Sequence, residues 1–325
     1  MAPNSHPLQT VFRTPDAGLI RNKDGLCRNC DKKPARGEHF RKCAGCQLAL
    51  YCSDACQQED RSRHKPQCDF LQESAEEIRE LQADANEEEL AYLEEKLALR
   101  SRLRDYAEAH RLSFRFIASA QLFLAGAAST PLADDPKVLV VPLRPHAPDG
   151  TSALDPARAF TAGKTMLLPL ARVLEDSAKS GTRLSEAYAA SAGYRARLAA
   201  TEAAGNPWFT GLLPVLYRAA PGVTTMEFFP QCRPDAPFRG AVTTASERQQ
   251  ITYYSRFIEL GVLLRPDPGV SGDTAYVPGY LKRAGSRWKW TPLFTGFPND
   301  PQWQRTPPAE RQKLLEMKLE QARHA

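Results

Sequence analysis

The strongest constraint on this 325-residue chain is a run of eight paired metal-binding side chains near its start. Seven of the eight cysteines and one histidine make up the run: Cys27, Cys30, Cys43, Cys46, Cys52, Cys56, His64 and Cys68. The first two pairs have the spacing of tight knuckles, and the last two place both ligands on one helix face. Eight such ligands predict two tetrahedral zinc sites, one with four cysteines and one with three cysteines and the histidine. Spacing alone leaves sequential and interleaved arrangements open.

Two other interpretations of the cysteines fit less well. A disulfide framework suits a short secreted domain, whereas residues 1–11 contain Pro3, His6 and Pro7 and no apolar stretch of signal-peptide length. An iron–sulfur cluster would use four cysteines and leave the other pairs unexplained. The sequence therefore predicts zinc as the cofactor (two ions) and an intracellular protein, nuclear or cytoplasmic, without a membrane span.

The ligand string, together with the run YCSDACQQED at 51–60, resembles the MYND-type zinc finger over about residues 27–68. This resemblance implies interleaved sites, in which the first and third pairs share one ion and the second and fourth share the other. The implied ligands of zinc 1 are Cys27, Cys30, Cys52 and Cys56. The implied ligands of zinc 2 are Cys43, Cys46, His64 and Cys68.

The same resemblance implies binding of a protein or peptide partner, generally a short proline-rich peptide. In that family the helix after the third pair reads C-Q-x-x-[DH]-W, and here Arg61 stands where the family has tryptophan. The implied partner surface therefore comprises Gln57, Asp60 and Arg61. Loss of the aromatic wall either weakens ordinary peptide binding or changes the preferred peptide, for example toward an acidic one.

A segment this short buries too little apolar surface to offset its chain entropy, so the metals must supply its folding free energy. We expect chelation to unfold residues 27–68 while the remaining chain stays largely folded. At the second knuckle, Gly45 is predicted to adopt a positive φ. Ser53 and Asp54 are predicted to begin a helix that carries Cys56.

The charge of the finger region does not favour nucleic acid. Eleven Lys and Arg face six Asp and Glu between Arg21 and Cys68, and seven zinc-bound thiolates offset most of that excess. A second basic segment, 280–290, combines aromatic residues with Lys and Arg and could bind single-stranded nucleic acid by stacking and charge. A hairpin that buries Trp288 or Trp290 is the favoured interpretation.

No enzyme motif is recognisable in the sequence. A SET-type methyltransferase would have an Asn-His dipeptide and a later cysteine cluster, yet no histidine follows an asparagine and Cys232 is the only cysteine beyond the finger. Phosphate-loop, dinucleotide, zinc-protease and hydrolase signatures are also missing. The leading hypothesis is a non-enzymatic interaction factor, an adaptor or transcription-related regulator. The alternatives are an unrecognised active site in 105–300, a SET-less relative of the methyltransferases, or a nucleic-acid binder.

The predicted fold is a small zinc finger with two zinc sites, followed by a long helix and an α+β domain. The divisions are a flexible tail at 1–22, the finger at 23–70, a charged helical spacer at 71–104, the α+β domain at 105–300 and an amphipathic C-terminal helix at 301–325. Beyond the finger, this order loosely resembles that of fungal proteins with a lineage-specific C-terminal domain. Oligomeric state is not indicated.

Apolar spacing and breaker residues predict the elements of the larger part. An acidic helix is expected over 72–100, where neither proline nor glycine occurs. Further helices are expected at 112–124, 184–204 and 246–260, and strands at 138–141, 166–168, 215–217 and 224–229.

Overall fold

The computed structural model describes residues 27–30, 32, 34–35, 38–146, 155–180, 182–220, 222–236, 242–266, 276–284, 287–294, 297, 299–307 and 310–324. The predicted tail at 1–22 lies outside these residues. The helices are α1 Asp54–Asp84, α2 Glu87–Ala109, α3 Arg111–Leu124, α4 Leu170–Lys179, α5 Leu184–Ala190, α6 Ala192–Gly205, α7 Thr244–Leu260, α8 Pro301–Arg305 and α9 Arg311–His324. The strands are β1 Arg41–Lys42, β2 Leu50–Tyr51, β3 Lys137–Pro145, β4 Phe160–Ala162, β5 Met166–Pro169, β6 Phe209–Ala220, β7 Val223–Cys232, β8 Leu263–Pro266, β9 Tyr276–Ala284 and β10 Arg287–Pro292.

Helix α1 begins where the sequence predicts and continues much further. The Ser53 Oγ caps it by accepting from the Cys56 amide at 3.2 Å. The helix then passes Pro66 without a break and ends at Asp84, so the acidic helix expected from residue 72 is the continuation of the finger helix. Asn86 begins α2 with a capping box to Glu89. The expected helix over 72–100 is therefore divided between α1 and α2.

A mixed five-stranded sheet forms the centre of the larger part. Its strand order is β4-β3-β6-β7, with β5 also paired to β3, and only β3 and β6 run parallel. Alternate residues of the strands enter two cores. One core packs against α2 and α3 and includes Leu139, Val141, Leu213, Val215 and Tyr217. The other packs against α4, α5 and α6 and includes Val138, Val140, Leu216, Met226 and Phe228.

The C-terminal part adds a smaller antiparallel sheet in the order β10-β9-β8. Strands β9 and β10 form the predicted hairpin, in which Trp288 and Trp290 are half-buried against a cluster that includes Leu263 and Leu281. Leu315 and Leu319 of α9 are buried in a core shared with α7. The amphipathic C-terminal helix therefore docks on the body of the chain.

The finger is attached to this body through α1. Phe70 packs against the core that α5 and α6 cover, and the Arg183 guanidinium contacts Glu77 at 2.9 Å and Ser74 at 3.1 Å. The backbone carbonyl of Arg63 comes so close to Gly193 of α6 that a Cβ there would lie 2.5 Å from its oxygen. In the described part of the chain, no helix combines the length and apolarity that crossing a membrane requires.

Candidate metal centre and adjoining groove

The first ligand group, which we call site 1, is built from the first knuckle and the start of α1. Cys27 and Cys30 lie on the knuckle, Cys52 lies just before the helix and Cys56 lies in its first turn. The Cys30 and Cys52 Sγ atoms are 3.6 Å apart, and those of Cys52 and Cys56 are 3.5 Å apart. Cys27 is buried, whereas Cys30 is exposed and the other two are half-buried. This group lies at the edge of the finger.

The second ligand group, site 2, joins the second knuckle to the middle of α1. The Cys43 and Cys68 Sγ atoms are 3.7 Å apart, and the Cys46 Sγ lies 3.5 Å from the His64 Nε2. His64 and Cys68 are one helical turn apart and therefore face the knuckle together. All four ligands are buried. This group forms the interior of the finger.

Both groups fit zinc. In each, one ligand atom from every residue lies within 4.8 Å of all the others. A tetrahedral ion with Zn–S bonds of about 2.3 Å separates two sulfurs by about 3.8 Å, close to the separations seen here. Each group could therefore hold a zinc ion. The grouping is the interleaved one that the family resemblance implied.

The electrostatics of site 2 favour a bound cation. Burial, followed by the proximity of Cys46 and Cys43, raises the pKa of Cys68 to about 12, so an isolated thiolate would be unfavourable there. A divalent cation offsets this cost by stabilising the deprotonated sulfur. Burial lowers the pKa of His64 to about 4, which keeps its imidazole neutral and able to act as a ligand at neutral pH.

The second knuckle differs from prediction in one respect. The residue with positive φ, at 58°, is Gln47, not Gly45. Gly45 is needed for space, because a Cβ on it would lie 2.7 Å from the Gln72 Nε2 and 2.9 Å from the Cys68 Sγ. The prediction about Gly45 was therefore wrong in its reason, since the constraint comes from α1 packing against the knuckle.

Asp60 lies inside the finger, with 2 % of its surface exposed. Its carboxylate accepts from the Arg28 Nε at 2.8 Å and the Tyr51 hydroxyl at 2.9 Å, and the Arg63 Nε lies 3.2 Å away. It joins the first knuckle, β2 and α1. The prediction that Asp60 contacts a partner directly is therefore wrong, because its oxygens already serve the finger.

A groove of about 530 Å³ runs along α1 beside site 2. It brings together Gln57 and Arg61, the other two residues of the predicted partner surface. Its remaining lining residues are Cys43, Asp54, Gln58, His64, Lys65, Cys68 and Asp69. The polar members among these were missed, although helical spacing from Gln57 and Arg61 points to Asp54, Gln58 and Lys65.

The charges that line the groove are mostly paired. The Arg41 Nη1 lies 2.9 Å from Asp54, and the Lys65 Nζ lies 2.5 Å from Asp69. Arg61 is exposed and has no ion-pair partner within the described residues. It is therefore the cation in this groove that remains available to an external carboxylate.

These features define a zinc finger with two interleaved ligand groups, one of four cysteines and one of three cysteines and a histidine, on a helix that borders a groove. Residues 27–68 match the family model of the MYND finger, and this segment is a MYND finger. MYND fingers are typically protein-interaction modules. No solved structure matches the chain.

Proposed function

We propose that the protein is a zinc-dependent interaction factor, an adaptor or transcription-related regulator without enzymatic activity, that binds a peptide of its partner in the groove along α1. The observation that carries this proposal is the groove itself, which is lined by Gln57 and Arg61 and by the site 2 residues Cys43, His64 and Cys68. Zinc at site 2 would hold the second knuckle against α1 and so maintain the wall of the groove.

The groove favours an extended peptide that combines apolar and acidic residues. Aliphatic and proline side chains would contact the apolar parts of the groove, and the Gln57 amide offers both a donor and an acceptor to a peptide backbone. The Arg61 guanidinium suits a carboxylate, with which it can form two parallel hydrogen bonds. We infer a proline-containing peptide with a Glu or Asp beside its apolar residues.

The orientation of α1 leaves this groove open. At about 100° per residue, Gln57, Arg61 and Lys65 fall on one face of the helix, whereas Arg63 and Phe70 fall on the opposite face. The second face packs on α5 and α6. A ligand in the groove would therefore not compete with the attachment of the finger.

Reversing the charge of Arg61 tests the proposal. The probes are two labelled peptides that share a Pro-x-Leu-x-Pro framework, one with Glu and one with Lys at the variable positions. Arg61→Glu should weaken binding of the Glu peptide by about tenfold and strengthen binding of the Lys peptide, as measured by fluorescence anisotropy. Metal analysis should show that the variant retains its zinc.

Arg79→Glu is the matched control, because Arg79 is exposed on the same helix and lies outside the groove. It makes the same charge change and should leave both affinities unchanged. Equal binding of the two peptides to the native chain, or equal effects of the two substitutions, would show that Arg61 does not select the ligand.

A further inference from the structure

The two metal groups differ sharply in solvent access. Site 2 is buried at all four ligands, and the Gln72 amide additionally contacts the Cys68 Sγ at 3.2 Å. At site 1, only Cys27 is buried, and Cys30 is exposed to solvent. Because metal-bound cysteines are thiolates, and because oxidation follows thiolate character and exposure, the two groups should not react alike.

We propose that site 1 is a peroxide-sensitive site in which Cys30 is oxidised first, Cys52 closes a disulfide with it, and the metal of that site is released while site 2 keeps its own. This inference is independent of the groove and its ligand. It rests on the exposure of Cys30 and on the 3.6 Å between the Cys30 and Cys52 sulfurs.

The chemistry balances with hydrogen peroxide as the oxidant. The Cys30 thiolate attacks one peroxide oxygen, which breaks the O–O bond and yields a sulfenic acid and hydroxide. The Cys52 thiolate then attacks the sulfenic sulfur, which forms the S–S bond and expels a second hydroxide. Two thiolates lose two electrons in total, and the peroxide is reduced to two hydroxides. Half of the ligand set is then lost, so the ion leaves.

The sulfurs need little movement to react. Their present separation of 3.6 Å must shorten to about 2 Å in a disulfide, which side-chain rotation on an exposed knuckle can supply. In site 2 the Cys43 and Cys68 sulfurs lie at almost the same separation, 3.7 Å. Access to peroxide, rather than proximity of thiols, therefore distinguishes the sites.

Oxidation at site 1 would act on the attachment of the finger. Arg28 lies between Cys27 and Cys30, pairs with the buried Asp60, and places its guanidinium 5.9 Å from the ring centroid of Tyr194 in α6. Reshaping this knuckle would disturb these contacts, and the groove beside site 2 would be affected less directly.

The test follows metal release from the full-length, zinc-loaded chain during exposure to hydrogen peroxide. A chromogenic zinc chelator reports release, and peptide mass spectrometry maps disulfides at the time when one equivalent has been lost. We expect the first equivalent to leave several-fold faster than the second, with a Cys30–Cys52 disulfide and unmodified Cys43, Cys46 and Cys68. Reductant plus zinc should restore both equivalents.

Histidine replacements separate the sites, because histidine can ligate zinc but cannot form a disulfide. Cys30→His should slow the first release to the rate of the second, whereas Cys46→His should leave the fast phase unchanged. Cys232→Ser, which removes the thiol outside the finger, should also leave it unchanged. Each variant is checked for zinc content first, and the two-rate result on the native chain stands without the variants.

Release of both equivalents at one rate, or a first disulfide among the site 2 cysteines, would overturn the proposal. So would an initial disulfide within site 1 that omits Cys30, because it would show that exposure does not choose the reacting thiolate.

Discussion

At the scale of single residues, the finger depends on a carboxylate that is not a metal ligand. Asp60 accepts from Arg28 and Tyr51 in a site from which water is almost fully excluded. Because Arg28 belongs to the first knuckle, this ion pair positions two site 1 ligands relative to α1. Neutralising one partner would leave the other charge buried and unpaired, which is costly.

Asp60→Asn should therefore destabilise the finger by about 3 kcal/mol. Asp54→Asn is the comparison, because it breaks an ion pair with Arg41 whose two side chains are largely exposed, and it should cost no more than about 1 kcal/mol. Urea unfolding of the zinc-loaded chain, with metal release as the signal, measures the loss of stability in both variants. Equal losses would mean that the buried pair contributes nothing beyond a surface contact.

Local sequence identifies the residues whose role depends on near neighbours and fails for those whose partners are distant. The eight ligands and the Ser53 cap follow from spacing of a few positions. Asp60 looked like a surface residue, because its partner Arg28 is 32 positions away. Gly45 was likewise assigned a conformational role, whereas Cys68 and Gln72 of α1 create its constraint.

At the scale of elements, α1 joins the finger helix to the start of the acidic helix, which the sequence predicted as separate elements. It is 31 residues long, contains Pro66, and carries three metal ligands and the body contact Phe70. The sequence predicted a finger helix that begins at Ser53 and Asp54 and, separately, an acidic helix over 72–100. Proline inside a helix usually kinks or ends it, yet α1 continues through Pro66. Here His64 and Cys68 flank the proline within one metal group, which holds the backbone helical on both sides. Helix α1 therefore fixes the position of the finger relative to α5 and α6.

Gly193→Ala tests that attachment. The added Cβ would meet the Arg63 carbonyl at 2.5 Å, so α1 must move away from α6 at a cost of about 1–3 kcal/mol. Gly205→Ala is the control in the same helix, where the new Cβ meets nothing within 4 Å and stability should be unchanged or slightly higher. Thermal unfolding compares the two variants. If Gly193→Ala is as stable as the control, the finger does not pack closely against α6 at this position.

At the scale of the whole molecule, the structure connects the metal sites to the core under α4, α5 and α6. Phe70 packs against that core, and Arg183 of the body contacts Glu73 and Glu77 on α1 at 3.3 and 2.9 Å. The finger has a small core of its own, in which five of the six buried members are ligands or Tyr51. Loss of the metals should therefore unfold the finger and also weaken the packing of α5 and α6, which contact α1.

Chelation should abolish hydrogen-exchange protection throughout 27–68 and lower it in α5 and α6, while β3, β6 and β7 keep theirs. This refines the expectation that the rest of the chain stays largely folded. Hydrogen exchange with mass spectrometry, with and without a strong zinc chelator, measures it. Retained protection in 27–68 would contradict metal-dependent folding, and unchanged α5 and α6 would contradict the coupling.

The strands of the larger part were located from the sequence because buried strands read as short apolar runs between breakers. Segments such as 138–141 and 224–229 fall within β3 and β7. Their order was not predictable, since pairing β3 parallel to β6 joins segments about 75 positions apart through long-range contacts. The helix expected over 184–204 is divided at Ser191, where Gly193 then meets α1.

The two faces of α1 also determine how much room a bound protein would have. An α-helix is about 10 Å across, so the groove and the attachment to α6 are separated by the full width of the rod. A bulky ligand seated over Arg61 would extend into open solvent, away from Gly193 and the sheet behind it. The same finger could thus bind partners of very different sizes without disturbing the packing of α1 against α6.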